Sequence, residues 1–240
     1  VEGRSVPGSR WGIDNPDTVY RVVPISGSER YELRGFDQAP MPELKDALVG
    51  DLADFDAVLE ATRGVEAVIH LGGEPGGGAP WEEILPSNFV GTYNVFEAAH
   101  QNGVRRIAFA SRAGLLGPYP QEMQRTVDML PRPTSYYSIS KVFGENLGYM
   151  YSANFGMEVV AVRIGNFKLE RDQPEHPHQL SHGDCVQVFE QAITHPDVKY
   201  EVVFGVSETD WPLYDLDHGR RAIGYEPQDF ADVPEDQRKG

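Results

Sequence analysis

Lysine is scarce in this chain and cysteine almost absent. Only Lys45, Lys141, Lys168, Lys199 and Lys239 carry an ammonium, and acidic residues outnumber basic ones 37 to 21, for a net charge of −16. A surface of that sign repels phosphate backbones and anionic lipid heads, so neither nucleic acid nor a membrane surface is expected as partner. The single cysteine, Cys185, excludes an intrachain disulfide framework and a cysteine-cluster zinc site, and fits a reducing, cytoplasmic setting. No apolar run is long enough to span a bilayer, and Val1-Glu2-Gly3-Arg4 shows no signal-peptide pattern. Internal repeats and charge blocks are missing too. Gly72-Gly73-Glu74-Pro75-Gly76-Gly77-Gly78 is glycine-rich, but no Gly-Lys-Ser/Thr follows, which excludes a P-loop.

What is present fits one α/β domain: 240 residues, 40% hydrophobic, enough for a sizeable core. Residues 1 to 18 are rich in turn formers and read as loop or tail. Val19 to Ile25 and Tyr31 to Asp37 read as strands, joined closely enough for a hairpin, although Pro24 suits a central strand poorly. Strands follow at Ala47 to Leu52, Val65 to Leu71, Arg106 to Ser111, Met157 to Asn166 and Tyr200 to Phe204. Helices are expected at Ala53 to Thr62, Trp81 to Gln101, from Ser135 onward, Gly183 to Thr194 and Asp217 to Ile223. Alternation of this kind predicts a doubly wound, mostly parallel sheet with sites at the carboxyl ends of the strands, and substrate-binding elements at about residues 164–240 forming a small C-terminal lobe.

The stretch Ser135-Tyr136-Tyr137-Ser138-Ile139-Ser140-Lys141 places a phenol and an ammonium four residues apart, on one helical face. Bringing a phenol from its ordinary pKa of about 10 to near neutrality takes roughly 4 kcal/mol, much of which a neighbouring cation in a partly dry site supplies. An amphipathic surface pair is the plain alternative. Joined to the Asn88-Phe89-Val90-Gly91-Thr92-Tyr93-Asn94-Val95-Phe96-Glu97-Ala98-Ala99 helix pattern, however, the stretch resembles the extended short-chain dehydrogenase/reductase family, and within it uronate dehydrogenases and related sugar dehydrogenases and epimerases. The resemblance is continuous from Tyr31.

That resemblance implies a Rossmann-like fold and NAD-linked oxidation or reduction of a sugar or sugar acid, with NADP less favoured. Tyr137 would be the acid/base, Lys141 would hold the nicotinamide ribose and tune Tyr137, and Ser111 would polarise the reacting carbon–oxygen bond. Asp37, at a strand end, would bind the adenosine ribose; Asp51 and Leu52 would border the adenine. Leu71, Gly72, Gly73, Asn88 and Ile164 would line the cofactor, and Arg112, Asn166 and Arg171 the substrate. Asp37 beginning a turn, Asp51 or Asp54 capping a helix, and Asn88 on a solvated helix face are the structural alternatives. No metal is implied. His176, His178 and His182 with Glu175 and Asp184 have zinc-type donors, but Pro177 disrupts any helical register among them. A homo-oligomer is compatible with the family and not dictated by the sequence.

Three departures stand out. Before Asp37 the sequence holds no Gly-x-x-Gly-x-x-Gly turn, so residues 1–30 form an atypical segment preceding a dehydrogenase-like domain at 31–240. Residues 10 to 35, around Trp11 to Asp17, are similar to part of an unrelated β-rich family, so a join near Arg34 is an expectation. Relatives end the strand matching Arg106 to Ser111 with two hydroxyl residues, whereas here Arg112 follows Ser111; either Ser111 substitutes, or Arg112 points away, or the site is damaged. Where uronate dehydrogenases carry an arginine for the substrate carboxylate, Pro174 or Glu175 aligns, and Arg171 is the nearby candidate. An impaired, non-enzymatic relative and a nucleotide-sugar epimerase are therefore the rival readings.

Overall fold

In the computed structural model, residues 31–74, 78–168 and 176–233 are described. Within those residues the strands expected from apolar runs form, those at Tyr31 to Asp37, Val65 to Leu71 and Met157 to Asn166 shorter than their patterns and those beginning at Arg106 and Tyr200 one residue longer. Strand β1 (Arg34–Asp37) pairs in parallel with β2 (Asp46–Val49). Strands β3 (Ala67–His70), β4 (Arg106–Arg112), β5 (Glu158–Ile164) and β6 (Tyr200–Gly205) form a parallel sheet in that spatial order. Helix α1 (Phe55–Ala61) is capped by Asp54, whose carboxylate accepts the N–H groups of Asp56 and Ala57. Thus Asp54, not Asp51, is that helix's cap.

Successive residues of a strand face opposite sides, and both sides of β4 and β5 are buried. Ile107, Phe109, Val159 and Ala161 pack with Phe96 of α3 (Gly91–Gln101) and Tyr151 of α4 (Tyr136–Phe155). Ala108, Ala110, Val160 and Val162 instead pack with Val188 and Phe189 of α5 (His182–Thr194). The sheet is therefore covered on both faces, as a doubly wound fold requires. Between α2 (Trp81–Ile84) and α3 the backbone widens into a π-helical turn, Leu85–Val90, with Pro86 near its start. Proline has no N–H to give the ordinary ladder, so a local re-registration follows naturally.

The β1–β2 pair is a sheet of its own: among the described residues no strand joins it to β3. It is held to the larger sheet through apolar contact, Phe36, Leu52, Val58 and Ala61 clustering with Val95 and Ala98 of α3. The expected strand Val19 to Ile25 lies outside the described residues. At the C-terminal end, α6 (Asp217–Ile223) and a short parallel pair, β7 (Glu208–Thr209) with β8 (Phe230–Ala231), complete the domain. Among the described residues no helix is long and apolar enough to cross a membrane.

Candidate active site

Helix α4 delivers the reactive pair to the carboxyl end of β4. Its first turn is fixed by Ser135, whose hydroxyl accepts the Ser138 N–H at 3.1 Å. The helix then lies unusually close to the sheet, since a Cβ at Gly144 would sit 2.2 Å from the Phe109 ring; only glycine permits that approach. Lys141 is consequently buried, with Nζ 5.2 Å from the Phe109 ring centroid and 5.4 Å from that of Tyr137. No hydrogen bond or ion pair compensates its charge among the described residues. Burial first, and the Arg112 charge second, push the Lys141 ammonium down to about 8.

The electrostatics of Tyr137 differ from the expectation. Burial holds its phenol above the ordinary value, and the opposing cation is Arg112, not Lys141. A phenolate in a dry site costs more than one nearby charge returns, so within the protein's own atoms Tyr137 stays protonated at neutral pH.

Ser111 is also placed otherwise than its expected role requires. Its hydroxyl is buried and donates to Glu145 Oε1 at 2.6 Å. Glu145 in turn forms a two-pronged ion pair with Arg163 of β5, Nε to Oε1 and Nη2 to Oε2, both at 2.9 Å. The only proton Ser111 has to offer is spent on tying α4 to β4 and β5. Arg112, by contrast, turns towards Tyr137. Its guanidinium carbon lies 5.3 Å from the Tyr137 ring centroid, and Nη1 donates to Ser138 Oγ at 3.0 Å.

The glycine loop after β3 is clipped to α4 by Asn88, which the π-helical turn presents inward. Asn88 is buried; its oxygen accepts the Glu74 N–H at 2.7 Å, and its amide donates to the Glu74 carbonyl at 3.1 Å and Ser140 Oγ at 3.2 Å. The solvated alternative for Asn88 is thereby excluded. Gly73 takes φ +136°, and a Cβ there would press on the Asn88 amide at 3.1 Å. Gly72 beside it is buried and Leu71 packs on the main core. His70 below the loop is fully buried, bonded through Nε2 to Thr92 Oγ1 at 3.1 Å, and burial, then Lys141, drives its pKa down to about 3. Sequence reading missed Ser140 and Thr92; their only signal is helical spacing from Tyr137 and Asn88.

Further from the pair, Asp37 ends β1 buried, with Oδ1 accepting the Ala39 N–H at 2.7 Å. Its turn-forming role is thus real, and its position at a carboxyl strand end is retained. Asp51 is exposed and accepts the Ala53 N–H at 2.8 Å, while the buried Leu52 accepts the Asn94 amide at its carbonyl at 2.8 Å. Ile164 ends β5, and the main chain of Asn166 bridges Gln179, its carbonyl accepting the Leu180 N–H at 3.1 Å. Arg171 and Glu175 lie outside the described residues. His178 bonds Tyr214 through Nδ1 at 2.8 Å, His182 stacks on Phe167 and bonds the Lys168 carbonyl, and Asp184 accepts the Gln228 N–H at 2.6 Å. His176 stacks on His178 with ring centroids 4.6 Å apart, and among the described residues no three metal-type donors gather. The loop after β4 docks on the segment preceding α6, the Arg125 N–H donating to the Leu213 carbonyl at 2.8 Å, and the two segments line a cavity of about 240 Å³.

A family model described as the NAD dependent epimerase/dehydratase family matches residues 22–196. The chain belongs to that family. The match begins well before the join expected near Arg34. An NAD-dependent glucose-6-phosphate dehydrogenase of Haloferax volcanii is 37% identical, over 84% of this chain and 86% of that one. A uronate dehydrogenase of Pseudomonas putida is 36% identical, over 84% and 76% respectively. Among solved structures, a uronate dehydrogenase variant from Agrobacterium tumefaciens complexed with NAD superposes with a TM-score of 0.76 at 35% identity, over 82% of this chain and 76% of that one.

The residues present suit the nicotinamide end of a dinucleotide: a buried ammonium without a partner among the described residues, and a loop in which the φ of Gly73 and the nearby Asn88 amide disfavour any side chain. For the pyrophosphate, the described residues contain no Gly-x-x-Gly-x-x-Gly turn between a strand and a helix.

Proposed function

We propose that this protein is an NAD-dependent dehydrogenase that oxidises a hydroxyl of a sugar or sugar acid. The observation that carries the reading is the Tyr137–Lys141 pair, one face of one helix, its ammonium buried at the carboxyl ends of a parallel sheet and uncompensated among the described residues. The relatives named for uronate, glucose 6-phosphate and arabinose point to the same substrate class.

A bound nicotinamide supplies the hydride acceptor. Lys141 would hold its ribose, the Asn88-clipped loop would back it, and Asp37 would take the distal ribose. Tyr137 accepts the hydroxyl proton as the carbonyl forms. Because burial keeps the phenol protonated, oxidation should quicken as pH rises, the base form appearing only above neutrality. Glu145 and Arg163 keep α4 in place and take no part in proton transfer.

The test is NADH formation by the purified protein with a panel of uronic acids, aldoses and sugar phosphates, beside Tyr137→Phe. The reading expects turnover with at least one sugar and a loss of 100-fold or more in the variant, general acid–base catalysis being worth about 10²–10⁴. A folded wild type that reduces no NAD⁺ with any of them would leave the non-enzymatic relative as the better description.

A further inference from the structure

Oxidising a hydroxyl puts partial negative charge on the reacting oxygen, and a hydrogen-bond donor beside Tyr137 is needed to stabilise it. The candidates near the phenol are few. Ser111 gives its proton to Glu145, and Ser138 receives the Arg112 Nη1–H while its hydroxyl pairs with Ser135 Oγ at 3.0 Å. Arg112 uses one of its five N–H groups on Ser138, and no carboxylate pairs with it among the described residues.

The seat of Arg112 is built. A Cβ at Gly114 would lie 2.5 Å from Nη2, 2.9 Å from Nε and 3.0 Å from Cζ, so the guanidinium lies flat over that glycine. Its carbon also lies over the Tyr137 ring, 5.3 Å from the centroid. The charge of Arg112 adds to the burial that lowers the Lys141 ammonium and, after Arg125, opposes the burial that raises the Tyr214 phenol.

We propose that Arg112, seated on Gly114, is a catalytic residue of this site: it donates hydrogen bonds to the reacting oxygen in place of a hydroxyl side chain. This rests on the dehydrogenase reading above. A guanidinium brings a permanent charge and a fork of donors, so its bond to a developing oxyanion is charge-assisted, roughly twice as strong as one from a neutral hydroxyl. The fork also fits two oxygens carried on one carbon, as in a cyclic hemiacetal with its ring oxygen and free hydroxyl. The same charge opposes the burial that keeps Tyr137 protonated. Arg112 keeps all its protons throughout, since it cannot be deprotonated at working pH.

The experiment compares wild type with Arg112→Met, which keeps length and loses charge, and with Gly114→Ala, which keeps the charge and unseats it. Two readouts are taken: kcat on the best sugar, and the ultraviolet titration of tyrosine without added nucleotide, using Tyr137→Phe to isolate that phenol. The proposal expects kcat to fall 10²–10³-fold in Arg112→Met, as for loss of an oxyanion donor, with NAD⁺ affinity within about threefold, as expected if Arg112 acts on the developing charge and not on cofactor binding. Gly114→Ala should lose activity as well, and the Tyr137 titration should move upward in Arg112→Met. Arg112→Met turning over within threefold of wild type, or an unmoved Tyr137 titration, overturns the assignment. A wild type inactive on every sugar sinks the dehydrogenase reading instead, and the two failures are thereby told apart.

Discussion

Replacing Glu145 by leucine should cost this protein about 3–5 kcal/mol of stability, because it strands a guanidinium in the core. Arg163 and Glu145 expose 3% and 6% of their side chains, so the pair has almost no solvent to fall back on. After the change Arg163 would keep only its bond from Nη1 to the Val127 carbonyl at 3.1 Å, and the Ser111 hydroxyl would lose its acceptor. For a domain of this size each kcal/mol moves Tm by roughly 2–4 °C, so the midpoint should fall by roughly 6–20 °C. Denaturant unfolding followed by tryptophan fluorescence gives the free energy directly. The companion is Glu145→Leu with Arg163→Met, which removes both charges and should regain most of the loss, since apolar replacement of a buried pair is often neutral. A single variant within 1 kcal/mol of wild type, or a double variant as unstable as the single, would show that water or relaxation compensates Arg163 and would refute the argument.

Ser111→Ala should lower stability by about 1.5–3 kcal/mol, the value of a hydrogen bond to a charged group, and leave kcat within a few-fold; a hundredfold fall in kcat would return Ser111 to the electrophilic role. Asn88→Ala frees the Glu74 loop, and about 1–3 kcal/mol per unsatisfied group predicts a KM for NAD⁺ raised tenfold or more, with kcat less affected; an unchanged KM would show the loop holds itself. His70, pushed to about 3 in the folded chain against 6.5 when unfolded, binds its proton only on unfolding. Stability should therefore fall as pH drops from 6.5 towards 3, by up to about 1.4 kcal/mol per pH unit from this group, and His70→Asn should flatten that limb in acid unfolding curves. Lys141, at about 8 folded against 10.5 unfolded, releases its proton earlier in the folded state, so stability should rise between those values, and Lys141→Met should remove the rise.

Much of this was legible because the signals were periodic. The run Arg106 to Ser111 is apolar on alternate and intervening positions alike, and a strand buried on both faces has no other reading. Helix α6 came out with the bounds its pattern predicted, and Tyr137 and Lys141 share a face because i and i+4 always do. Direction was not legible. Nothing in Ser111-Arg112 says which side chain turns to the phenol; that depends on Glu145 lying 34 residues further on and on the missing Cβ of Gly114. The pKa of Tyr137 was misjudged for a related reason: spacing reveals the cation but not the dehydration, and here dehydration outweighs it. The turn at Asn88 needed Pro86 to be read as a register change within one long helix.

The cofactor's affinity is where the sequence makes its most demanding statement. Two sheets, β1–β2 and β3 to β6, are held together by side chains of α1 and α3 and not, among the described residues, by a shared strand. The glycine pattern that grips pyrophosphate is missing before Asp37. Each charge-assisted backbone bond it would give is worth about 1.5–3 kcal/mol, so losing two weakens binding by about two to four orders of magnitude. Calorimetry should therefore find NAD⁺ bound at high micromolar to millimolar Kd, weakened further by Asp37→Ala, while Lys141 and Tyr137 stay competent for chemistry at saturating cofactor. High KM with ordinary kcat is the kinetic form of the same prediction, because the pyrophosphate grip is lost equally from ground and transition states. A low-micromolar Kd insensitive to Asp37→Ala would mean that the dinucleotide is gripped by groups outside both the glycine pattern and the β1 end, and the account of how this chain holds its cofactor would fall with it.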